Sequence, residues 1–327
     1  MGSLSLNMIV KDDPESLLAC LESIEEVCDE IVIVVDEGAD PDVERIVEDH
    51  ASKKIHHPLS GHFGNQRQIA LDATTGDIML WLDSDDFVPE KTRDVIRKIA
   101  DRCDQQIDAY MFPYWYSIEE DGTPRTILLR ERMIRVGRGL SWRYPVHEVF
   151  SADDSGKVVA ARVDVPIHHM RKHPVGDRNC RIMDEHLSSY HDDSRMQLYA
   201  GNEYMKIGRF DDAERAYRRN LEIEKWSEHR AISFLRLAAL LAIRGDLDEA
   251  TEMAMNSISE EPLRPDPYLL LGDLAAMRKK THLALHWYKI ASNMQTPIHC
   301  LMPVDTNIVS HAKNKFDELS TRCQMVV

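Results

Sequence analysis

The chain has 327 residues, a length that two domains account for best. With 40 basic and 56 acidic residues its formal net charge is −16, which argues against a general nucleic-acid coat or a polybasic membrane anchor. Hydrophobic residues make up 43% of the chain, enough for real cores, so wholesale disorder is excluded.

Targeting and redox patterns point to a cytoplasmic protein. No apolar run approaches the length of a membrane span. The N-terminus shows no basic n-region and no cleavage site, so nothing marks it for secretion. The six cysteines are scattered without a Cys-x-x-Cys pair, which favours reduced thiols over a cysteine-built zinc site.

The first half of the chain alternates short apolar runs with helical patterns. The predicted elements, in chain order, are a strand Leu4–Val10, a helix Pro14–Val27, a strand Glu30–Val35, helices Pro41–Ser52 and Phe63–Ala73, a strand Asp77–Leu82, a helix Lys91–Cys103 and a strand Ala109–Ile118. This alternation predicts βαβ units in a mainly parallel sheet. Because ligands bind such sheets at the carboxyl ends of the strands, the polar residues after each strand are the candidates for a site.

The second half, from about Val175, repeats a helical pattern. Equivalent positions, offset by 37 and then 34 residues, are Gly201, Ala238 and Gly272; Gly208, Gly245 and Lys279; and Ala213, Ala250 and Ala284. A period near 34 residues with small residues at these places is typical of tetratricopeptide helix pairs, although Lys279 departs from the usual Gly. An ordinary helical bundle is the alternative. We therefore predict an α/β domain over residues 1–175 and an all-α helical-repeat domain with a C-terminal tail over residues 176–327.

Two carboxylates stand at the exit of the predicted strand Asp77–Leu82. Asp83 and Asp85, one residue apart, can bind a divalent cation and, through it, a diphosphate. Hard cations prefer carboxylate oxygens, and Mg²⁺ or Mn²⁺ bridges readily to phosphates. An Asp-x-Asp pair in an acidic chain is more often a solvated turn, but its position after a hydrophobic strand favours a metal site.

Three segments within the first 90 residues, taken in order, resemble the family 2 glycosyltransferases, which have a GT-A nucleotide-sugar-binding fold. They are SLNMIVKDDPESLLACLESI, EIVIVVDEGADPDVERIV and GNQRQIALDATTGDIMLWLDSDD. The later segments WRYPVHEVF and VPIHHM look like the branch of this family that carries a C-terminal tetratricopeptide tail, and the repeats found above agree with it. The resemblance covers nearly the whole chain apart from its last thirty residues.

The resemblance implies a donor site. The implied nucleotide-sugar-binding residues are Val10, Asp12, Asp36, Arg67, Asp83 and Ser84. Among them Asp36 matches an acidic residue that contacts the nucleobase, Arg67 a basic residue that faces the nucleotide, and Asp83 a residue that faces the ribose. Asp12 and Gln68 replace asparagines that are usual in the family, which leaves the nucleotide open, with a UDP-sugar as the expectation.

The resemblance also implies a cation, Mn²⁺ or Mg²⁺, held by Asp85 and by a later histidine. His168 and His169 are both similar in place to that histidine, and the doubled residue leaves the choice open. Packing in the core at a strand end is the alternative for each of them.

Inverting glycosyl transfer needs a base that takes the acceptor proton and a cation that stabilises the leaving diphosphate. Glu148 is the predicted base, and His147 would orient it or the donor phosphate. The alternative for Glu148 is a surface salt bridge. Asp153 and Asp154 are fallback bases in an acidic turn that we expect to be solvent-exposed.

Three further clusters have simpler interpretations. About half of the rings in Tyr110–Tyr116 should face a core, and the others could stack on an acceptor sugar or base. Arg125–Arg143, with six Arg and no Lys, is expected to be a solvated hairpin, although it could also form a local basic patch. A solvated loop is expected for a group of histidines whose spacing fits no zinc site, namely His50, His56, His57 and His62.

The leading hypothesis is a metal-dependent inverting glycosyltransferase that uses a nucleotide-diphosphate sugar. The acceptor is open between a polypeptide, which the tail suggests, and a polysaccharide, a lipid-linked sugar or a modified nucleobase in DNA. The tail would bind the acceptor or mediate self-association, because stacked helix pairs form concave surfaces. A non-catalytic nucleotide-binding scaffold is the second hypothesis. A nucleotidyltransferase is the third, and it is disfavoured because no Gly-rich basic loop follows the first strand.

Overall fold

The structure, a computed structural model, describes residues 1–58, 61–152, 157–170, 176–295 and 301–324. The chain falls into two compact units, Met1–Val175 and Gly176–Val327. Within the described residues, no helix combines the length and the apolar character that crossing a membrane requires.

The first unit is an α/β domain. Its elements are β1 (Leu4–Val10), α1 (Pro14–Glu22), β2 (Glu30–Val35), α2 (Pro41–His50), β3 (Lys53–His56), α3 (Phe63–Asp72), β4 (Ile78–Trp81), β5 (Asp86–Phe87), α4 (Glu90–Arg102), β6 (Ala109–Ile118), β7 (Pro124–Arg135), β8 (Leu140–Arg143), β9 (Val149–Ala152), β10 (Ala160–Arg162) and β11 (Ile167–His169). The predicted strands and helices up to Ile118 are present, with shifts of a few residues at their ends.

The main sheet has the strand order β3-β2-β1-β4-β7-β6-β11-β5, with β10 beside β6. β1 is parallel to β2 and β4, and β6 is parallel to β10 and β11. β7 is antiparallel to both β4 and β6. The sheet is therefore mixed and mainly parallel, as predicted. Because both faces of β2 and β4 are covered, every residue of these two strands is buried.

Two predictions in the first 60 residues are corrected. The helix predicted as Pro14–Val27 ends at Glu22, and a separate 3₁₀ turn covers Glu25–Val27, because Ile24 leaves helical geometry with φ of −140°. The solvated loop expected around the histidines is wrong in part, since His56 lies in the strand β3 and His62 caps α3 by accepting the Asn65 amide at 3.1 Å.

The arginine-rich segment is the largest correction. β7 forms a long antiparallel hairpin with β6, and Arg132 and Arg135 are buried. The expectation of a solvated hairpin is therefore wrong for this part, because the two guanidiniums pair with the carboxylates of Asp86 and Asp108. On β6 about half of the rings face the core, as predicted: Tyr110, Phe112 and Tyr114 are buried, whereas Trp115 is partly exposed and Tyr116 is exposed.

The second unit is helical. Its elements are α5 (Arg178–Ser189), α6 (Ser194–Lys206), α7 (Phe210–Ile223), α8 (Ser227–Arg244), α9 (Leu247–Glu260), α10 (Asp266–Met277), α11 (Thr281–Ser292), a short strand β12 (Val304–Asp305) and α12 (Ile308–Gln324). Three helix pairs, α6/α7, α8/α9 and α10/α11, follow the predicted period.

Small residues allow the paired helices to approach closely. A Cβ added to Gly201 would lie 2.5 Å from the ring of Tyr217, and Gly272 faces Tyr288 in the same way. Lys279 has φ of +57°, in the left-handed region that Gly208 and Gly245 occupy at the equivalent turns. The third repeat therefore keeps its turn without the glycine.

Candidate active site

Polar side chains follow β1, β2 and β4 at their carboxyl ends, where parallel α/β sheets bind ligands. Asp36, directly after β2, is buried and pairs with Lys11 at 2.5 Å. Its amide donates to the carbonyl of Val10 at 2.9 Å, which holds the ends of β1 and β2 together. Asp12 is exposed beside them. Three of the residues predicted to bind the nucleotide, Val10, Asp12 and Asp36, thus share one edge of the sheet.

Arg67 connects two parts of the site that are far apart in sequence. It lies on α3 and is buried, with its guanidinium 4.5 Å from the ring centroid of Trp81 and 5.3 Å from that of Trp142. It donates to the carboxylate of Asp83, and its Nε lies 3.4 Å from Oε1 of Glu148. The flat guanidinium suits this position because it can stack on the indoles and pair with two carboxylates at once.

The segment Asp83–Asp86 is a tight turn after β4. The Asp86 amide donates to the Asp83 carbonyl at 3.1 Å, and the Asp83 amide donates to Oδ2 of Asp86 at 2.9 Å. Ser84 and Asp85, between them, are partly exposed. Burial works against ionisation of Asp83, but the guanidiniums of Arg67 and Arg132 hold its pKa well below the usual range. Asp83 is therefore a charged carboxylate at neutral pH.

Asp85, Asp86 and His169 form the one possible metal-binding group found among the described residues, with their donor atoms within 4.8 Å of one another. Nδ1 of His169 lies 3.4 Å from Oδ1 of Asp85 and 3.5 Å from Oδ1 of Asp86. The pairing of β11 with β5 sets this arrangement, because it places His169 opposite Asp86 and lets the Met170 amide donate to the Asp85 carbonyl at 2.7 Å.

The residues of this group suit a divalent cation. The His169 side chain is only 10% exposed, and among the described residues its Nδ1 has the two carboxylates at ion-pair distance but no hydrogen-bond partner. Two carboxylates and one imidazole nitrogen are ligands that Mn²⁺ and Mg²⁺ accept, with the imidazole favouring Mn²⁺. His168 lies elsewhere: its ring is stacked on Trp115 at 4.4 Å. Of the two histidines, the structure brings His169 to the carboxylates.

Burial and the neighbouring charges shift the pKa values of Asp85 and His169. Burial raises the pKa of Asp85 to about 6, with His169 opposing the rise and Asp83 and Asp86 adding to it. Burial alone would lower the pKa of His169, but the carboxylates of Asp86 and Asp85 raise it overall. A bound cation would reverse both effects, since it favours the charged carboxylate and the neutral imidazole.

Glu148 lies in the loop between β8 and β9. Its side chain is only 12% exposed, so its ion pair with Arg67 is not a surface salt bridge. Its carbonyl accepts from Nη2 of Arg130 at 3.3 Å. The neighbouring His147 is partly buried and has φ of +53°, a left-handed backbone conformation that is uncommon outside glycine. The fallback bases Asp153 and Asp154 lie outside the described residues.

Sequence reasoning missed three members of the site: Asp86, Tyr114 and Arg132. Asp86 is buried, accepts from the Tyr114 hydroxyl at 2.7 Å and forms an ion pair with Arg132 at 3.0 Å. Asp86 stood next to the predicted pair and could have been considered with it. Arg132 could not be placed, because its carboxylate partners Asp83 and Asp86 are distant in sequence and the contact depends on the pairing of β7 with β4.

Carboxylates, a buried guanidinium and a His–carboxylate group thus lie together at the strand ends of a mainly parallel sheet, where α/β domains bind their ligands. Residues 5–153 match the family model of glycosyl transferase family 2. The first unit is accordingly a family 2 glycosyltransferase domain.

The chain is also similar to a TPR repeat-containing protein and to solved structures. A TPR repeat-containing protein of Synechococcus elongatus is 25% identical over 278 residues, which are 80% of this chain and 67% of the relative. Among solved structures, that of MamA matches 45% of this chain and 79% of its own at 17% identity and a TM-score of 0.34. PcrH in complex with the chaperone-binding region of PopD matches 40% and 93% at 18% identity and a TM-score of 0.35.

Proposed function

We propose that this chain is a metal-dependent inverting glycosyltransferase that moves a sugar from a nucleotide-diphosphate donor, with UDP as the nucleotide. The main observation in favour of this proposal is the short distance between Asp85 and His169, whose Oδ1 and Nδ1 atoms lie 3.4 Å apart. The two residues lie beside the Arg67–Asp83 ion pair at the carboxyl end of β4. The family domain supports glycosyl transfer in general, and the Asp85–His169 group supports the proposed metal dependence.

Each residue has a role that follows from its place. Asp36 would accept a hydrogen bond from the nucleobase at the end of β2, and Asp83 would face the ribose. Asp85 and His169 would hold the cation, which supplies positive charge to the leaving diphosphate. Arg67, already neutralised by two carboxylates, would keep Asp83 and Glu148 at a fixed separation.

Glu148 would act as the base. Its carboxylate takes the proton of the acceptor hydroxyl as the acceptor oxygen forms a bond to the anomeric carbon, and the bond from that carbon to the diphosphate breaks on the opposite face. The anomeric configuration is thereby inverted. Burial of Glu148 beside Arg67 orients the carboxylate, and a positioned base typically contributes 10²–10⁴-fold to the rate.

We propose a polypeptide as the acceptor class. The helix pairs of the second unit are of the stacked kind that forms extended binding surfaces for peptides. Self-association through the same unit is the second role that this architecture would serve.

A hydrolysis assay over a panel of nucleotide sugars, with and without Mn²⁺, tests the function. We expect hydrolysis of one donor that depends on Mn²⁺ and is lost in Asp85→Asn. Asp94→Asn, the same change at an exposed position of α4, is the matched control and should behave like the wild type. Donor binding that is unaffected by Mn²⁺, without any turnover, would favour the non-catalytic scaffold instead.

A further inference from the structure

Arg132, on β7, is one of the largest fully buried side chains among the described residues and reaches the turn Asp83–Asp86. It is 1% exposed, and Nη1 lies 3.0 Å from Oδ2 of Asp86 while Nη2 lies 3.6 Å from Oδ2 of Asp83. Its guanidinium also packs over the rings of Trp81 at 3.9 Å and Tyr114 at 4.2 Å. A buried guanidinium needs carboxylate partners, and both partners of Arg132 belong to the same turn.

Asp86 has little capacity left for a metal ion. Its Oδ2 accepts from the Asp83 amide at 2.9 Å and pairs with Arg132, and its Oδ1 accepts from the Tyr114 hydroxyl at 2.7 Å. The protein therefore engages both oxygens of this carboxylate. Asp86 holds the turn in place, although its Oδ1 faces the candidate cation position.

Asp85 is in the opposite situation. Its side chain is 28% exposed, and His169 at 3.4 Å is its one ion-pair neighbour within the described part of the chain. Arg67 and Arg132 thus neutralise the other two carboxylates of the turn, Asp83 and Asp86. The turn presents three carboxylates but leaves one of them for a cation.

We propose that Arg132 is a positioning residue that decides which carboxylate binds the cation and keeps the cation affinity of the donor-free site low. Its ion pair with Asp86 makes this carboxylate unavailable to the cation and balances part of the acidic charge of the turn. The cation therefore binds well only when the donor diphosphate supplies further oxygen ligands. The inference rests on the proposed function, since it concerns the cation of that same site.

Mn²⁺ titration of the donor-free full-length chain, followed by calorimetry, tests this role. In Arg132→Gln we expect Mn²⁺ to bind on the order of tenfold more tightly than in the wild type. The reason is that the variant leaves one more uncompensated carboxylate charge near the divalent cation. Arg132→Lys keeps the charge and should stay close to wild-type affinity. Tyr114→Phe removes one hydrogen bond to the same Asp86 without changing any charge, and it should change the affinity less than threefold.

The titration distinguishes positioning from a purely structural role. If Arg132 only stabilised the fold, Arg132→Gln would bind Mn²⁺ more weakly or not at all. Should this variant fail to fold, as judged by circular dichroism, the double variant Arg132→Gln/Asp86→Asn removes both charges of the pair. We then expect wild-type Mn²⁺ affinity in the double variant, because the charge balance is restored.

The Mn²⁺ titrations distinguish an error in the role of Arg132 from an error in the proposed function. If the wild type binds Mn²⁺ and Arg132→Gln or its double variant departs from these expectations, the role of Arg132 is wrong and the proposed function stands. If the wild type binds no Mn²⁺ with or without UDP, the metal-dependent function is wrong and this inference falls with it.

Discussion

Replacing Glu148 by Gln should separate an effect on catalysis from an effect on stability. The carboxylate lies 3.4 Å from Nε of Arg67 and is only 12% exposed. Gln keeps the shape and one oxygen that can accept from Arg67, and it removes the charge and the ability to take a proton. Arg67 retains its pair with Asp83.

The two effects of this change differ in size. Loss of charge from one long ion pair, with the hydrogen bond kept, should lower the free energy of unfolding by about 1 kcal/mol. Loss of a positioned base should slow transfer by about 10²–10⁴-fold, which corresponds to roughly 3–5 kcal/mol in the activation barrier. The variant should therefore fold, bind donor as the wild type does, and turn over poorly.

Glu131→Gln is the matched control, since Glu131 is similarly buried at 15% exposure and lies beside Arg130 at 3.8 Å. Donor hydrolysis with Mn²⁺, together with donor affinity and melting temperature, should be measured on both variants. We expect a large loss of hydrolysis in Glu148→Gln alone. Wild-type hydrolysis by Glu148→Gln, or an equal loss in both variants, would refute the assignment of Glu148 as base.

Two further predictions concern the cation and the helical unit. Because protons compete with the cation for Asp85, whose pKa is raised to about 6, and for His169, whose pKa is raised by the neighbouring carboxylates, Mn²⁺ affinity should rise with pH through 6 and go on rising until His169 loses its proton; calorimetry from pH 5 to pH 8 would show this, and a flat profile would contradict it. Gly201→Ala should lower the free energy of unfolding by about 1 kcal/mol, because overpacking against Tyr217 costs about 1–3 kcal/mol and the gain in helix propensity returns only about 1 kcal/mol. Denaturant unfolding measures the change, and stabilisation by this substitution would show that the helices are not closely packed there.

Local patterns were sufficient to predict much of the fold. Leu4–Val10 and Glu30–Val35 are strands with the predicted bounds, because short segments rich in apolar residues form strands readily in a sheet that is covered on both faces. The helix pairs were predicted from small residues at a fixed period, and the close approach of Gly201 to Tyr217 is the physical basis of that pattern.

Pairing between distant segments was not predictable in the same way. β7 carries charged residues at positions that face the interior, so its pattern indicated a solvated hairpin. Arg132 is stable there only because Asp86 and Asp83 arrive from another strand end. The choice between His168 and His169 likewise depended on the register of β11 with β5, which no local pattern encodes.

The dependence of UDP affinity on Mn²⁺ tests the central claim most directly. Titration of UDP into the full-length chain should show binding that is strengthened at least tenfold by Mn²⁺ in the wild type, because the cation joins Asp85 and His169 to the diphosphate. In Asp85→Asn the strengthening should disappear, while the weaker Mn²⁺-independent affinity remains. Equal UDP affinity with and without Mn²⁺ in the wild type would contradict the account.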